Sequence, residues 1–237
     1  MREIFDRVEN LERVIIEVDI EADDFKGSNP WIFSLFIKSN IVDESSENFD
    51  EFLETKESLI IALEHQNSSK YVGSRVNDGW HEFYFYAKES KNLESVVSQM
   101  LKESGYKYEC SVVKDTKWDF YHKNLFPSEL EFCHIESDKI IFLLQEEGDD
   151  LAISREVEHY LSFETATQKE RFIQNAIELG FGFKDDISSE EFEYGVALVK
   201  EHTTKSEDVK IVVEELYALA KKEHGYYEGW STVLVDL

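Results

Sequence analysis

Residues 156–181 read EVEHYLSFETATQKERFIQNAIELGF, and this stretch sets the fold of the second half of the chain. Glu156 to Phe163 reads as a strand. Thr165 is placed to cap a helix, with Gln168 three residues on completing a capping box. Phe172, Ile173, Ala176, Ile177 and Leu179 recur at helical spacing and predict the buried face; Gly180 stops the helix. A strand thus runs straight into an amphipathic helix. Beyond it, Phe181-Gly182-Phe183 and Phe192 to Lys200 predict paired strands, separated by Asp185, Asp186, Ile187, Ser188, Ser189, Glu190 and Glu191. Ser206 is the expected cap of the next helix, with Glu207 and Asp208 in its first turn suiting the helix dipole. Val209, Val212, Val213, Leu216 and Ala220 form its stripe, and Lys221 and Lys222 its basic end. After Gly225, Tyr226 to Val235 predicts a closing strand. The order is β-α-β-β-α-β.

The same order is legible in the first half. Arg13 to Ile20 predicts a strand, and Trp31 to Ile37, after Pro30, an apolar central strand. Phe49, Phe52, Leu53, Ile60 and Leu63 predict a helix ending near His65. Tyr71–Val76 and Trp80–Tyr86 predict a hairpin turning at Asn77-Asp78-Gly79. In its second arm Trp80, Glu82, Tyr84 and Tyr86 alternate with His81, Phe83 and Phe85. Leu93, Val96, Val97, Met100 and Leu101 predict a second helix before Gly105, and Tyr106 to Val113 a last strand. Residues 116–128 read as a connection, followed by a helix from Glu129 to about Glu147 that Gly148-Asp149-Asp150 breaks. The expected fold class is α+β: two ferredoxin-like (split βαβ) domains, each an antiparallel sheet with helices on one face. The expected boundary puts residues 1–126 in one domain and 127–237 in the other.

The charge limits what such a protein can bind. Against 25 basic residues stand 51 acidic ones, a formal net charge of −26. The first 126 residues carry −10 and the remainder −16. Such a surface repels nucleic-acid phosphates and anionic membranes, so no direct nucleic-acid or membrane binding is expected. It serves solubility, and it suits a protein partner with a basic surface. No 20-residue apolar span and no secretory leader are legible, so the expected location is the cytosol. Cys110 and Cys133 lie 23 residues apart without zinc-ligand spacing and read as buried free thiols of a reducing compartment, a disulfide being the alternative that geometry decides.

Catalytic motifs are absent: there is no nucleophile elbow, P-loop, dinucleotide fingerprint or HExxH. The seven histidines are dispersed along the sequence. No catalytic residue, metal site or cofactor is therefore expected. The candidate partner-binding residues are the acids Asp149, Asp150, Asp185, Asp186, Glu190, Glu191 and Glu193, with Trp80 and Trp230 as aromatic anchors. Core packing of a large ring is the first reading of both tryptophans, and a partner anchor the second.

Three segments of the second half carry a family resemblance: Val157 to Ser162, Ile177 to Phe181, and Tyr227-Glu228-Gly229-Trp230-Ser231-Thr232. With Ile140-Ile141 and Gly148-Asp149-Asp150 before them, residues 129–237 resemble the RraB family, the protein regulator of ribonuclease activity that inhibits ribonuclease E. The first half resembles an uncharacterised bacterial domain found ahead of RraB-like domains, through its Trp31 strand, its Gly79-Trp80 hairpin and the tail around Trp118. The resemblance implies a modified ferredoxin-like fold, an acidic surface and a protein partner in RNA decay. An added N-terminal domain departs from the short single-domain members.

The expected function is thus a non-catalytic, acidic, protein-binding regulator of a ribonuclease or RNA-decay assembly. One alternative is a small-ligand binder or enzyme whose site gathers His122, His134 and Trp118 between the domains. Another is a homo-oligomeric module joined through its sheet faces.

Overall fold

The computed structural model describes residues 1–39, 41, 45–189 and 192–235. The chain divides into two compact units, Met1–Phe126 and Pro127–Leu237.

The first unit holds strands β1 (Arg2–Glu9), β2 (Glu12–Asp19) and β3 (Trp31–Lys38), then helix α1 (Phe49–Leu63). Strands β4 (Ser69–Asn77) and β5 (Trp80–Ala87), helix α2 (Leu93–Met100) and strand β6 (Lys107–Lys114) follow. The sheet is antiparallel, in the order β1-β2-β4-β5-β3-β6. Its last four members give the split βαβ arrangement, since β5 lies between the two strands that α1 connects. Alternation decides the faces. Phe83 and Phe85 join Phe33, Leu35 and Tyr71 beneath α1 and α2, around Phe52, Ile60, Leu63 and Val97. Tyr84 and Tyr86 point to the other face. The turn between β4 and β5 uses positive φ at Asp78 and Gly79, as its sequence requires.

Two readings of this half are corrected. Strand β1 was not anticipated. Its exposed side, Arg2, Ile4, Asp6 and Val8, mixes charge with apolar groups, and its hairpin turn is Asn10-Leu11, a pair outside the usual turn vocabulary, with φ of 52° and 70°. Nor is the segment after β6 a mere connection. Trp118, Tyr121 and Leu125 are fully buried against the sheet face that the helices leave bare. The Trp118 indole stacks on Tyr86 with centroids 3.9 Å apart, and its Nε1 donates to the Asn29 carbonyl at 2.8 Å. The Tyr121 hydroxyl donates to the Asp19 carbonyl at 2.9 Å. Asp115 fastens the start of this segment: it accepts from the Tyr86 hydroxyl at 2.6 Å and from the Asp119 and Phe120 amides at 3.0 Å.

The second unit holds helix α3 (Glu129–Glu146), β7 (Arg155–Phe163), α4 (Ala166–Glu178), β8 (Gly182–Ile187), β9 (Tyr194–His202), α5 (Ser206–Lys222) and β10 (Tyr226–Thr232). The antiparallel order β10-β7-β9-β8 is again the split βαβ arrangement. The expected capping box of α4 forms in both directions between Thr165 and Gln168. The buried face of α4 is narrower than read: Phe172 and Ala176 are buried, whereas Ile177 and Leu179 are exposed. Ser206 is the first helical residue of α5 rather than its cap; Lys205 holds the cap position, and the Ser206 hydroxyl donates to Asp138. Asp185 and Asp186 lie within β8, not in the loop after it.

Candidate functional site

An apolar groove of about 350 Å³ lies in the second unit between α3, the C-terminal turns of α5 and β10. Its walls are set by local sequence. Ser128 and Glu131 cap α3 reciprocally, the Ser128 amide donating to the Glu131 carboxylate at 2.7 Å. That helix turns Phe132, Cys133, Glu136 and Ile140 into the groove. Opposite them, β10 carries a bulge between Tyr227 and Gly229. Residues three apart on a regular strand face opposite ways. Because of the bulge, Tyr227 and Trp230 both point to the helix side, opposite Leu161 and His159. Gly229 adopts φ +137°, and no atom lies within 4 Å of where a Cβ would stand, so bare backbone is presented there.

The groove ends in a cation held by aromatic rings. The Lys221 ammonium lies 4.8 Å from the Tyr226 ring centroid and 5.4 Å from that of Tyr217. It also pairs with Glu129, whose carboxylate accepts from the Tyr217 hydroxyl at 3.3 Å. The contact holds the Glu129 carboxyl below its ordinary value and raises Lys221. Tyr226 is half exposed. Glu136 and Glu228 complete an acidic rim. Glu228 accepts from the Ser162 hydroxyl, and Glu136 from Lys139 at 2.8 Å.

Behind the groove, histidines dispersed in the sequence meet. His159, fully buried, lies between the Tyr227 hydroxyl (2.9 Å from Nδ1) and His202 (3.2 Å between the Nε2 atoms). His202 Nδ1 is 2.7 Å from the Thr203 carbonyl, so it must donate there. Its Nε2 then accepts from His159, whose Nδ1 accepts from the tyrosine. All partners are satisfied with both rings neutral. Burial, reinforced by His202 and Lys200, lowers His159 to about 3. Burial lowers His202 as well, against the pull of the Thr203 carbonyl.

The sequence-chosen candidates do not assemble into one site. Trp230 is core: it is 4% exposed, packs with Ile141, Leu144, Val157, Val209 and Val213, and donates to Ser137 at 3.1 Å. It lines the floor of the groove and is no exposed anchor. Trp80 is half-buried at the start of β5, with the Lys38 ammonium 5.4 Å from its ring. Asp149 is a structural acid. Its carboxylate takes two hydrogen bonds from buried Arg155, at 2.5 and 2.8 Å, and a third from the Val235 amide at 2.8 Å. Asp150 accepts from the Ala152 amide at 3.0 Å. Asp185, Asp186 and Glu193 are exposed at the β8–β9 hairpin, with Asp186 paired to Lys169 at 2.6 Å. Glu190 and Glu191 lie outside the described residues. The Arg155 end of β7 pairs with His202 and the Phe163 end with Tyr194. The Asp149 pair and the hairpin acids therefore occupy opposite ends of the sheet, on the order of 25 Å apart.

Trp118 is sealed in the first unit's core, His122 lies 3.2 Å from Asp23, and His134 lies 3.6 Å from Glu214. Cys110 and Cys133 are free and half-buried, and burial pushes both thiols up to about 11. Among the described residues no cluster of three or more His, Cys, Asp and Glu is arranged to hold a metal ion, and no helix is long and apolar enough to cross a membrane. The groove residues missed in the sequence, Phe132, Ile140, Tyr217 and Tyr226, had one signal, the Tyr226-Tyr227 pair beside Gly229.

Two split-βαβ units in tandem, the second with an aromatic, acid-rimmed groove, define a ferredoxin-like α+β protein. Residues 134–232 match the family described as regulator of ribonuclease activity B, and residues 13–126 match a family of unknown function (DUF695). The chain carries an RraB domain behind a DUF695 domain. Among curated proteins no match was found.

Proposed function

We propose that this chain is a protein-binding regulator of a ribonuclease, acting through its RraB domain. The observation that carries this reading is the position of the groove. Strand β10, with its Tyr226-Tyr227 pair, bulge and Gly229, lies within the span that matches the regulator family. An aromatic recess with bare backbone and an acidic rim suits a segment of protein, because aromatic side chains supply most of the energy at such contacts. The net charge of −26 disfavours RNA itself as the ligand and favours a basic partner surface. Regulation would then come from covering a surface of the ribonuclease or its assembly, with no bond made or broken by this chain.

The test is the rate of RNA cleavage by the endoribonuclease activity of the source cell, with and without the purified chain. The expected outcome is a saturable fall in rate, relieved by salt. An unchanged rate across a hundredfold molar excess, with no complex detected by ultracentrifugation, would remove the reading.

A further inference from the structure

We infer that the α3–α5–β10 groove is a peptide site that takes an apolar side chain flanked by a basic one. This rests on the reading of the RraB domain as a protein-binding module and names the chemistry of its occupant. The chain itself supplies the pattern. One end of the groove already holds an ammonium, that of Lys221, against the rings of Tyr217 and Tyr226 and the carboxylate of Glu129. Cations over tyrosine faces gain further when a carboxylate stands behind them.

The remainder of the groove offers an apolar wall and two further carboxylates. Phe132 and Ile140 offer a half-buried apolar wall, facing the open strip of backbone at Gly229. An apolar side chain of about the size of Phe or Leu, with its backbone, fits a recess of about 350 Å³. Glu136 and Glu228 flank that position. Glu136 pairs with Lys139 at 2.8 Å on its own exposed helical face, and a pair of that kind contributes little. Glu228 has a neutral hydroxyl, that of Ser162, as its bonded neighbour. Either carboxylate can accept an incoming guanidinium or ammonium. The rim disfavours an acidic segment, and the apolar wall disfavours one that is merely cationic.

The test uses the full chain and four fluorescein-labelled ten-residue peptides. One has a central Phe with Arg two residues to each side. In the others, Ala replaces Phe, Glu replaces both Arg, or the residue order is scrambled so that Phe and Arg lie apart. Binding is read by anisotropy at 0.15 M salt. The first peptide is expected to bind, and each of the others at least about tenfold more weakly. Tyr226→Ala, which releases the Lys221 ammonium toward the acidic rim, and Glu136→Lys, both at exposed positions, are each expected to weaken it about tenfold, and Tyr226→Phe to leave it unchanged, since the phenyl face keeps Lys221 in place. Folding of each variant is checked by its melting transition. Equal binding of the Ala peptide would reduce the site to bulk charge and overturn the inference. Binding of none of them, or binding indifferent to Tyr226→Ala, would overturn it too. Peptide binding without an effect on ribonuclease activity would sink the proposed function and leave the groove. Ribonuclease regulation undisturbed by Tyr226→Ala, with no peptide bound, would sink the groove and leave the function.

Discussion

The hydroxyl of Tyr227 lies 2.9 Å from Nδ1 of His159, so one side chain both lines the groove and closes the buried imidazole chain. The groove's back wall therefore depends on two neutral histidines. In the unfolded chain each imidazole takes a proton below its ordinary value near 6.5; folded, His159 does so only near about 3. The unfolded state binds more protons across that window. The contribution of His159 to stability is complete above about pH 6.5 and declines as pH falls toward 3, at up to about 1.4 kcal/mol per pH unit. Relief of repulsion among the many carboxylates acts in the opposite sense, so the comparison is with His159→Gln. Urea unfolding at pH 7.5 and 5.0 should show the native chain losing more stability than the variant; equal losses would refute the assignment.

Arg155 ties three segments together. Besides Asp149 it donates to the carbonyls of Asp150 and Val233, at 2.6 and 3.1 Å. Asp149→Asn leaves a buried guanidinium without its counter-ion and should cost about 3–5 kcal/mol. Denaturant titration of the full chain measures it. A cost below about 1 kcal/mol would mean the pair is replaceable by water.

Trp118 takes a left-handed backbone, φ +58°, and its buried ring offsets that strain. Removing the ring as Trp118→Ala should destabilise the first unit by about 3–5 kcal/mol. Calorimetry should show the first unit melting earlier. Loss of ribonuclease regulation at a temperature where that unit is still folded would instead give this segment a direct role.

Charge should govern encounter more than lifetime. Raising ionic strength from about 0.01 M to about 0.15 M shortens the screening length from about 30 Å to about 8 Å. Association with a basic partner should slow on the order of tenfold, while dissociation changes little. Stopped-flow measurement decides it, and a salt-independent association rate would remove the role given to the acidic surface.

How far these features were legible follows from the range of the forces involved. Helix faces, strand alternation, the Thr165–Gln168 box and the Asp78-Gly79 turn are local, set by periodicity and by hydrogen bonds a few residues long. They were enough to read β-α-β-β-α-β twice, and the composition was enough to set the expectation of a surface that repels phosphates. The burial of Trp118 was not legible, because nothing near it in sequence shows that a sheet face 30 residues away lacks a cover. Trp230 as core and Tyr226 as the accessible ring also depended on tertiary structure. A one-residue bulge reverses every later side chain, and no local propensity marks where it falls. The meeting of His159 with His202 and the sealing of Asp149 by Arg155 are contacts across strands or loops. Sequence by itself determined the elements and the sign of the surface; only the packed structure decided which of 51 acids and four tryptophans lie exposed, because exposure is a property of neighbours in space.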